Sequence, residues 1–393
     1  MRKKCSSQFV GWLVLVWLTY SLQCPSGHCA TAAYSERIPL QVGEFKRFYR
    51  IHVPPVYDGK TPLPLVLVFH GRSELARDIA EITQFSELAD RQGFIVVYPV
   101  GVREHWNDGR TAIPIFSAGN YDDVGFIAVL LQRLEAILAI DTNRIYATGM
   151  SNGGMFVQRL ACELDGVFAA IGPVDGTLPF DIAPRCIPKQ PVSVIEFHGT
   201  NDAYVHWQGG SVRAVGGKTL SVPKTVAHWR TLEHCAETPD IVYGPHKDPD
   251  EPQRVRRERY GSCRDGTEVV LYAIEGGGHT WPGGPDDPLL FAGEVNQDIS
   301  ATNLIWGFFS EHPKVSAVVT AASHPKPFPP PVSLMEGTEN ETPSKGVPLW
   351  KWPFRMVINI PLLLFGALSD GGEQAVKVAS VDHVQPPLTI RSQ

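Results

Sequence analysis

Residues 64–71 read PLVLVFHG, an uninterrupted apolar run rich in β-branched side chains and closed by His70-Gly71. A strand with one wet face alternates apolar and polar residues. A strand apolar at every position needs cover above and below, as in a parallel sheet sandwiched between helices. The same kind of run recurs in FIVVYP (Phe94–Pro99), RIYATG (Arg144–Gly149), VFAAIGPV (Val167–Val174), VSVIEFHG (Val192–Gly199) and EVVLYAIEG (Glu268–Gly276). Helical stretches are expected between them. They are residues 76–92, stopping at Gly93; Asp122–Ile140, capped by Asp122 or Asp123; the segment after Ser151, with Met155, Phe156, Leu160 and Leu164 near one face; Val222–Cys235; and Ile299–Ser310, capped by Ser300 or Asp298. This alternation predicts an α/β fold with a mostly parallel central sheet flanked by helices. Arg47–Val53 alternates instead and is expected to be an early edge strand.

Domain organisation follows from composition. The chain has 393 residues, 43% of them hydrophobic, enough for a large core. Arg2, Lys3 and Lys4 precede the apolar run Phe9–Tyr20, and Ala30-Thr31-Ala32 offers an A-x-A cleavage site. Residues 1–32 therefore read as a signal peptide, and the protein as secreted; the competing reading is an uncleaved anchor, for which the run is short. Residues 33–312 form the α/β domain. Residues 313–393 form a Pro-rich tail of disordered composition, in which the apolar stretch Met356–Leu368 is broken by Asn359 and Pro361 and is not expected to contact a membrane. A net charge of −6 argues against nucleic-acid binding. Cleavage after Ala32 leaves Cys162, Cys186, Cys235 and Cys263 of the seven cysteines. Four cysteines allow three pairings, and local closure favours Cys162–Cys186 and Cys235–Cys263. No Cys/His spacing suits zinc, so neither metal nor cofactor is expected.

The chemistry centres on GMSNGGM, residues 149–155. Gly149-x-Ser151-x-Gly153 fits a nucleophile elbow, but three fixed positions in five are a weak signal alone. Context strengthens it: a predicted strand enters Ser151 and a predicted helix leaves it. A serine hydroxyl needs a base, the base needs a carboxylate to hold it, and in such folds the chain order is Ser, acid, His. Asp202 lies just past the strand 192–199, and His279 just past the strand 268–276, so both belong on the sheet edge that carries Ser151. Asp175, past the strand 167–174, is the alternative acid, and Asp181 lies in the same interval. Among the histidines after Asp202, His206, His228, His234, His246 and His312 compete, but only His279 directly follows a strand and a glycine run. The two oxyanion donors are expected to be the backbone N–H groups of Asn152 and Arg72, with Gly71 permitting close approach. Trp106 and Trp281 are candidates for cleft walls, with core packing the equal alternative.

HG at 70–71, WNDGR at 106–110, DDVGF at 122–126, GMSNGGM at 149–155, HGTND at 198–202 and GGGHTWPGG at 276–284 occur in that order. Over about residues 45 to 310 the chain resembles the polyhydroxybutyrate depolymerase family of secreted esterases. That family belongs to the α/β-hydrolase superfamily and is similar to feruloyl and acetylxylan esterases. The resemblance implies a cofactor-free serine carboxylesterase with Ser151 as nucleophile, Asp202 as acid and His279 as base, acting on a hydroxyalkanoate oligomer or an esterified polysaccharide. Arg72-Ser73-Glu74 departs from the family, which often has small or polar residues after HG; Arg72 can narrow the cleft or bind an acidic substrate group. Feruloyl or acetylxylan ester hydrolysis is the nearest alternative. A serine peptidase of the same fold and a non-catalytic secreted binding protein are the more distant ones.

Overall fold

The computed structural model describes residues 37–111, 121–247, 252–285 and 292–314, all within one compact unit. The expected signal peptide and all of the tail past Lys314 lie outside the described residues.

Ten strands form one sheet. In chain order they are β1 (Ile38–Val42), β2 (Phe45–His52), β3 (Leu63–Phe69), β4 (Ile95–Val100), β5 (Ile140–Met150), β6 (Ala170–Val174) and β7 (Ser193–Gly199), then β10 (Asp240–Tyr243), β11 (Arg254–Tyr260) and β12 (Val269–Glu275). The short strands β8 (Gly210–Ser211) and β9 (Lys218–Thr219) pair with each other as a separate ribbon. The sheet order is β1-β2-β4-β3-β5-β6-β7-β12-β11-β10. Its centre, β4 to β12, is parallel throughout, and both margins are antiparallel.

The parallel centre explains the apolar runs. On β3, Leu65, Leu67 and Phe69 enter one core, while Val66 and Val68 enter the other. The first core lies against α3 (Asp123–Ile137), α4 (Asn152–Glu163) and α5 (Val222–Leu232); Phe126, Phe156 and Trp229 are buried in it. The second lies against α1 (Ala76–Thr83), α2 (Phe85–Gln92) and α6 (Ala301–Glu311), and contains Ile79, Phe85 and Phe309. The caps are Asp122, which accepts from the Gly125 N–H, and Ser300, which accepts from the Asn303 N–H.

Two expectations are corrected, and one strand goes beyond them. Residues 76–92 form two helices rather than one, because Gln84 adopts a left-handed conformation with φ 52°. Arg47–Val53 is not at the edge: β2 sits between β4 and the outer strand β1. Residues 254–260, RVRRERY, carry no apolar alternation, yet they form β11. Its charges are paired across the margin, Arg256 with Glu258 and Glu275, Arg257 with Asp240, and Arg259 with Glu268. Ion pairs on this strand, which lies between β12 and the outermost β10, take the place of the apolar face that a sequence pattern would detect.

Cys162–Cys186 and Cys235–Cys263 are the two disulfides, as expected from local closure. The first ties α4, the helix that follows Ser151, to the loop after β6.

Candidate active site

The C-terminal ends of β5, β6, β7 and β12 converge on one edge. Ser151 sits between β5 and α4 with φ 57° and ψ −120°, a region that costs a non-glycine residue about 1–3 kcal/mol. Its N–H donates to the Val174 carbonyl, and its carbonyl accepts the Met155 N–H, so sheet and helix both hold the strained residue. Close packing enforces the glycines around it. A Cβ on Gly153 would lie 2.6 Å from the His70 carbonyl oxygen and closer still to that of Phe69. Gly199 packs as tightly against Gly277 and Gly278, which brings the end of β7 against the turn that carries His279.

Past β7, Asp202 is buried. Its Oδ1 accepts the N–H groups of Tyr204 (2.7 Å) and Val205 (2.9 Å), and its Oδ2 lies 2.7 Å from His279 Nδ1. Burial alone would raise the pKa of Asp202, but His279 and these donors outweigh it and hold the carboxylate below its usual range. Burial likewise disfavours the His279 imidazolium, yet the facing Asp202 charge prevails and raises His279 to about 9.

Asp175, past β6, is the second carboxylate at this histidine. Its Oδ2 stands 4.0 Å from His279 Nδ1, beyond hydrogen-bond reach, and its Oδ1 accepts the Gly199 N–H at 3.0 Å. Asp175 is fully buried, and burial followed by the nearby Asp202 charge pushes its pKa well above the carboxylate range. Two carboxyl groups thus face His279, Asp202 in contact with it and Asp175 beyond hydrogen-bond reach.

Ser151 and His279 line one cavity of about 240 Å³ together with Arg72, Glu74, Asn152 and Tyr204. Residues 48–192 match the family described as Esterase PHB depolymerase. The protein named "Putative esterase NocK" of Nocardia uniformis subsp. tsuyamanensis is 30% identical over 251 residues, 61% of this chain and 71% of its own length. The chain belongs to the PHB depolymerase esterase family. Members of this family are carboxylic ester hydrolases, and the strand order agrees with an α/β-hydrolase fold. Feruloyl esterase B of Piromyces equi is 27% identical over 238 residues, 58% of this chain, which spans 42% of that longer protein. Poly(3-hydroxyalkanoate) depolymerase C of Paucimonas lemoignei is 26% identical over 262 residues, 60% of this chain and 58% of its own length.

In this PHB depolymerase-family esterase several contributors had no distinct sequence signal. The Asn152 side chain braces the loop at 106–108. Its Oδ1 accepts the Trp106 N–H at 2.8 Å, and its Nδ2 donates to the Trp106 carbonyl (3.1 Å) and to Asp108 Oδ2 (2.6 Å). Asp108 in turn holds Arg110 through two N–H groups. His198 lies behind Asp202, and its Nε2 pairs with the Val205 carbonyl at 2.7 Å, fixing the turn that supplies Asp202 with donors. His70 Nε2 accepts the Gly101 N–H, so its proton sits on Nδ1 and is donated to the Gly71 carbonyl at 2.7 Å. Burial depresses His70 to about 4 and keeps it in this neutral form.

Both tryptophan wall candidates are corrected. Trp106 is fully buried, stacked on Phe156 with its Nε1 donating to the His70 carbonyl; Trp281 is buried against Phe85 with its Nε1 donating to Thr302. An indole whose N–H is satisfied inside the protein packs as core. The wall beside His279 is Tyr204, with the two ring centroids 5.3 Å apart. Among the described residues one trio has ligand atoms close enough for a cation, Asp175, His198 and Asp202, within 4.8 Å of one another. Asp202 Oδ2 and His198 Nε2 already hold His279 and the β7 turn, so coordination there would compete with the contact to His279.

Proposed function

We propose that this protein is a secreted serine carboxylesterase in which Ser151, His279 and Asp202 form the catalytic triad. One observation carries the reading: His279 is hydrogen-bonded to buried Asp202 at 2.7 Å and shares a cavity with a serine held at φ 57°. His279 Nε2 takes the Ser151 hydroxyl proton as Oγ attacks the ester carbonyl, while Nδ1–H stays on Asp202. Collapse of the tetrahedral adduct passes that proton to the departing alcohol. Water then repeats the sequence on the acyl-enzyme and frees the acid and the serine.

The oxyanion is met by the N–H groups of Asn152 and Arg72. Asn152 opens α4, where the first N–H groups have no partner within the helix. The Gly71 carbonyl is held by His70, and in a trans peptide the following N–H points the opposite way, which supports the Arg72 assignment. The two disulfides and the basic-apolar leader sequence support export. Hydroxyalkanoate esters are the substrates we favour over feruloyl or acetyl esters of polysaccharide.

The test is Ser151→Ala on p-nitrophenyl butyrate, with fluorophosphonate labelling of the wild type. A fall of about three orders of magnitude or more and loss of the label are expected. Activity within about tenfold of wild type would remove Ser151 as nucleophile.

A further inference from the structure

The charge of the cavity runs against that of the chain. The protein carries a net −6, yet the described residues lining the cavity include three arginines, Arg72, Arg110 and Arg213, and, among those described, one carboxylate, Glu74. Arg110 is committed to the fold: its Nε and Nη2 hold Asp108 Oδ2 and its Nη1 donates to the Gly216 carbonyl. Glu74 accepts the Gly71 N–H at 2.7 Å and so belongs to the loop after β3. Arg72 is half-buried, and burial together with the positive charge of Arg110 pushes its pKa down.

Arg213 differs from the other two. It lies in the segment between β7 and α5, on the turn joining β8 and β9, and is exposed. Its backbone N–H donates to the Tyr204 carbonyl, which couples it to the ring beside His279, and the next residue, Ala214, has φ 64°. Among the described residues no ion pair includes it. The same turn supplies an apolar wall, since Val212 and Val215 pack with Met155 and Val205.

We propose that the substrate carries a carboxylate of its own, bound by the guanidiniums of Arg213 and Arg72, with a short apolar chain against Val212 and Val215. Esters of hydroxy acids that end in a free carboxylate have this chemistry. Neutral acetyl and aryl esters engage the apolar wall alone. The inference rests on the serine esterase reading and deepens it.

The experiment compares matched neutral and anionic esters. On the acyl side they are p-nitrophenyl butyrate and mono-p-nitrophenyl succinate. On the alcohol side they are methyl 3-butyryloxybutanoate and the free 3-butyryloxybutanoate, followed by butyrate release. In at least one pair the wild type is expected to show the higher kcat/KM for the anion. That anion-to-neutral ratio should fall about tenfold or more in Arg213→Glu, stay near wild type in Arg213→Lys, and shrink as salt is raised. A preference for the neutral ester in both pairs, or a ratio that moves less than about threefold in Arg213→Glu, overturns the proposal. Ser151→Ala, assayed alongside on the neutral esters, separates the two failures. If it matches wild type, the serine esterase reading falls. If it is dead while the ratio stays put, only the anion site falls.

Discussion

Replacing Asn152 by alanine tests whether the nucleophile elbow is held from the side chain as well as from the helix. The amide makes three hydrogen bonds, to the Trp106 N–H, the Trp106 carbonyl and Asp108 Oδ2. Alanine leaves the Trp106 N–H, a backbone donor of a fully buried residue, without its partner, while the Trp106 carbonyl keeps the Asp108 N–H and Asp108 retains Arg110. A buried group so orphaned costs about 1–3 kcal/mol, and a water entering the vacated space recovers part of it. A loss of about 1–3 kcal/mol is therefore expected, which at this size lowers Tm by about 2–6 °C. Activity should fall further than stability, because the loop that shifts packs beneath the Ser151 helix and small misplacements cost about a hundredfold. Calorimetry and kcat on p-nitrophenyl butyrate measure the two effects. Asn152→Asp keeps the shape but replaces the donor facing Asp108 with an oxygen. It should be worse than alanine at neutral pH and recover as acid restores a proton. A Tm within about 1 °C of wild type, with kcat within about twofold, would refute the brace.

Because the base must be neutral to accept the serine proton, kcat/KM should rise with pH and level off past about 9, where His279 loses its proton. Asp202→Asn should shift that limb to lower pH and cost about three to four orders of magnitude, whereas Asp175→Asn, whose carboxyl stands 4.0 Å away, should move both far less; equal losses would make Asp175 the acid. Gly153→Ala forces a Cβ towards the His70 carbonyl and should cost about 1–3 kcal/mol in urea denaturation; an unchanged midpoint would show that the elbow has room. Paired Cys162→Ser and Cys186→Ser, opening a loop of sequence separation 24, should lower stability by about 3 kcal/mol, and a midpoint equal to wild type would show that the bridge adds nothing.

The central strands were legible because each is buried on both faces, so every residue of a run such as Val66-Leu67-Val68 must be apolar. Ser151, Asp202 and His279 were legible for a related reason: parallel strands all end on the same edge, so residues just past them meet whatever the loops between do. The marginal strands β1, β10 and β11 were not. β1 is held by pairing with β2 and by Ile38, Leu40 and Val42 packing on the core, β10 and β11 by pairing and charge, and each needs a neighbour that the run itself does not show.

The amino-acid sequence by itself determined the layered α/β architecture, the disulfide pairing favoured by local closure, and which residues stand at the strand ends. Tertiary structure decided what no linear pattern encodes. It put Asp202 rather than Asp175 in contact with His279, a difference of 2.7 against 4.0 Å set by how the turn after β7 folds on His198. It sent Trp106 and Trp281 into the core and brought Tyr204 to His279. It also gave the Asn152 side chain its partners 46 and 44 residues away. Strand ends follow from local chemistry, but contacts between them depend on distances that exist only once the sheet has closed.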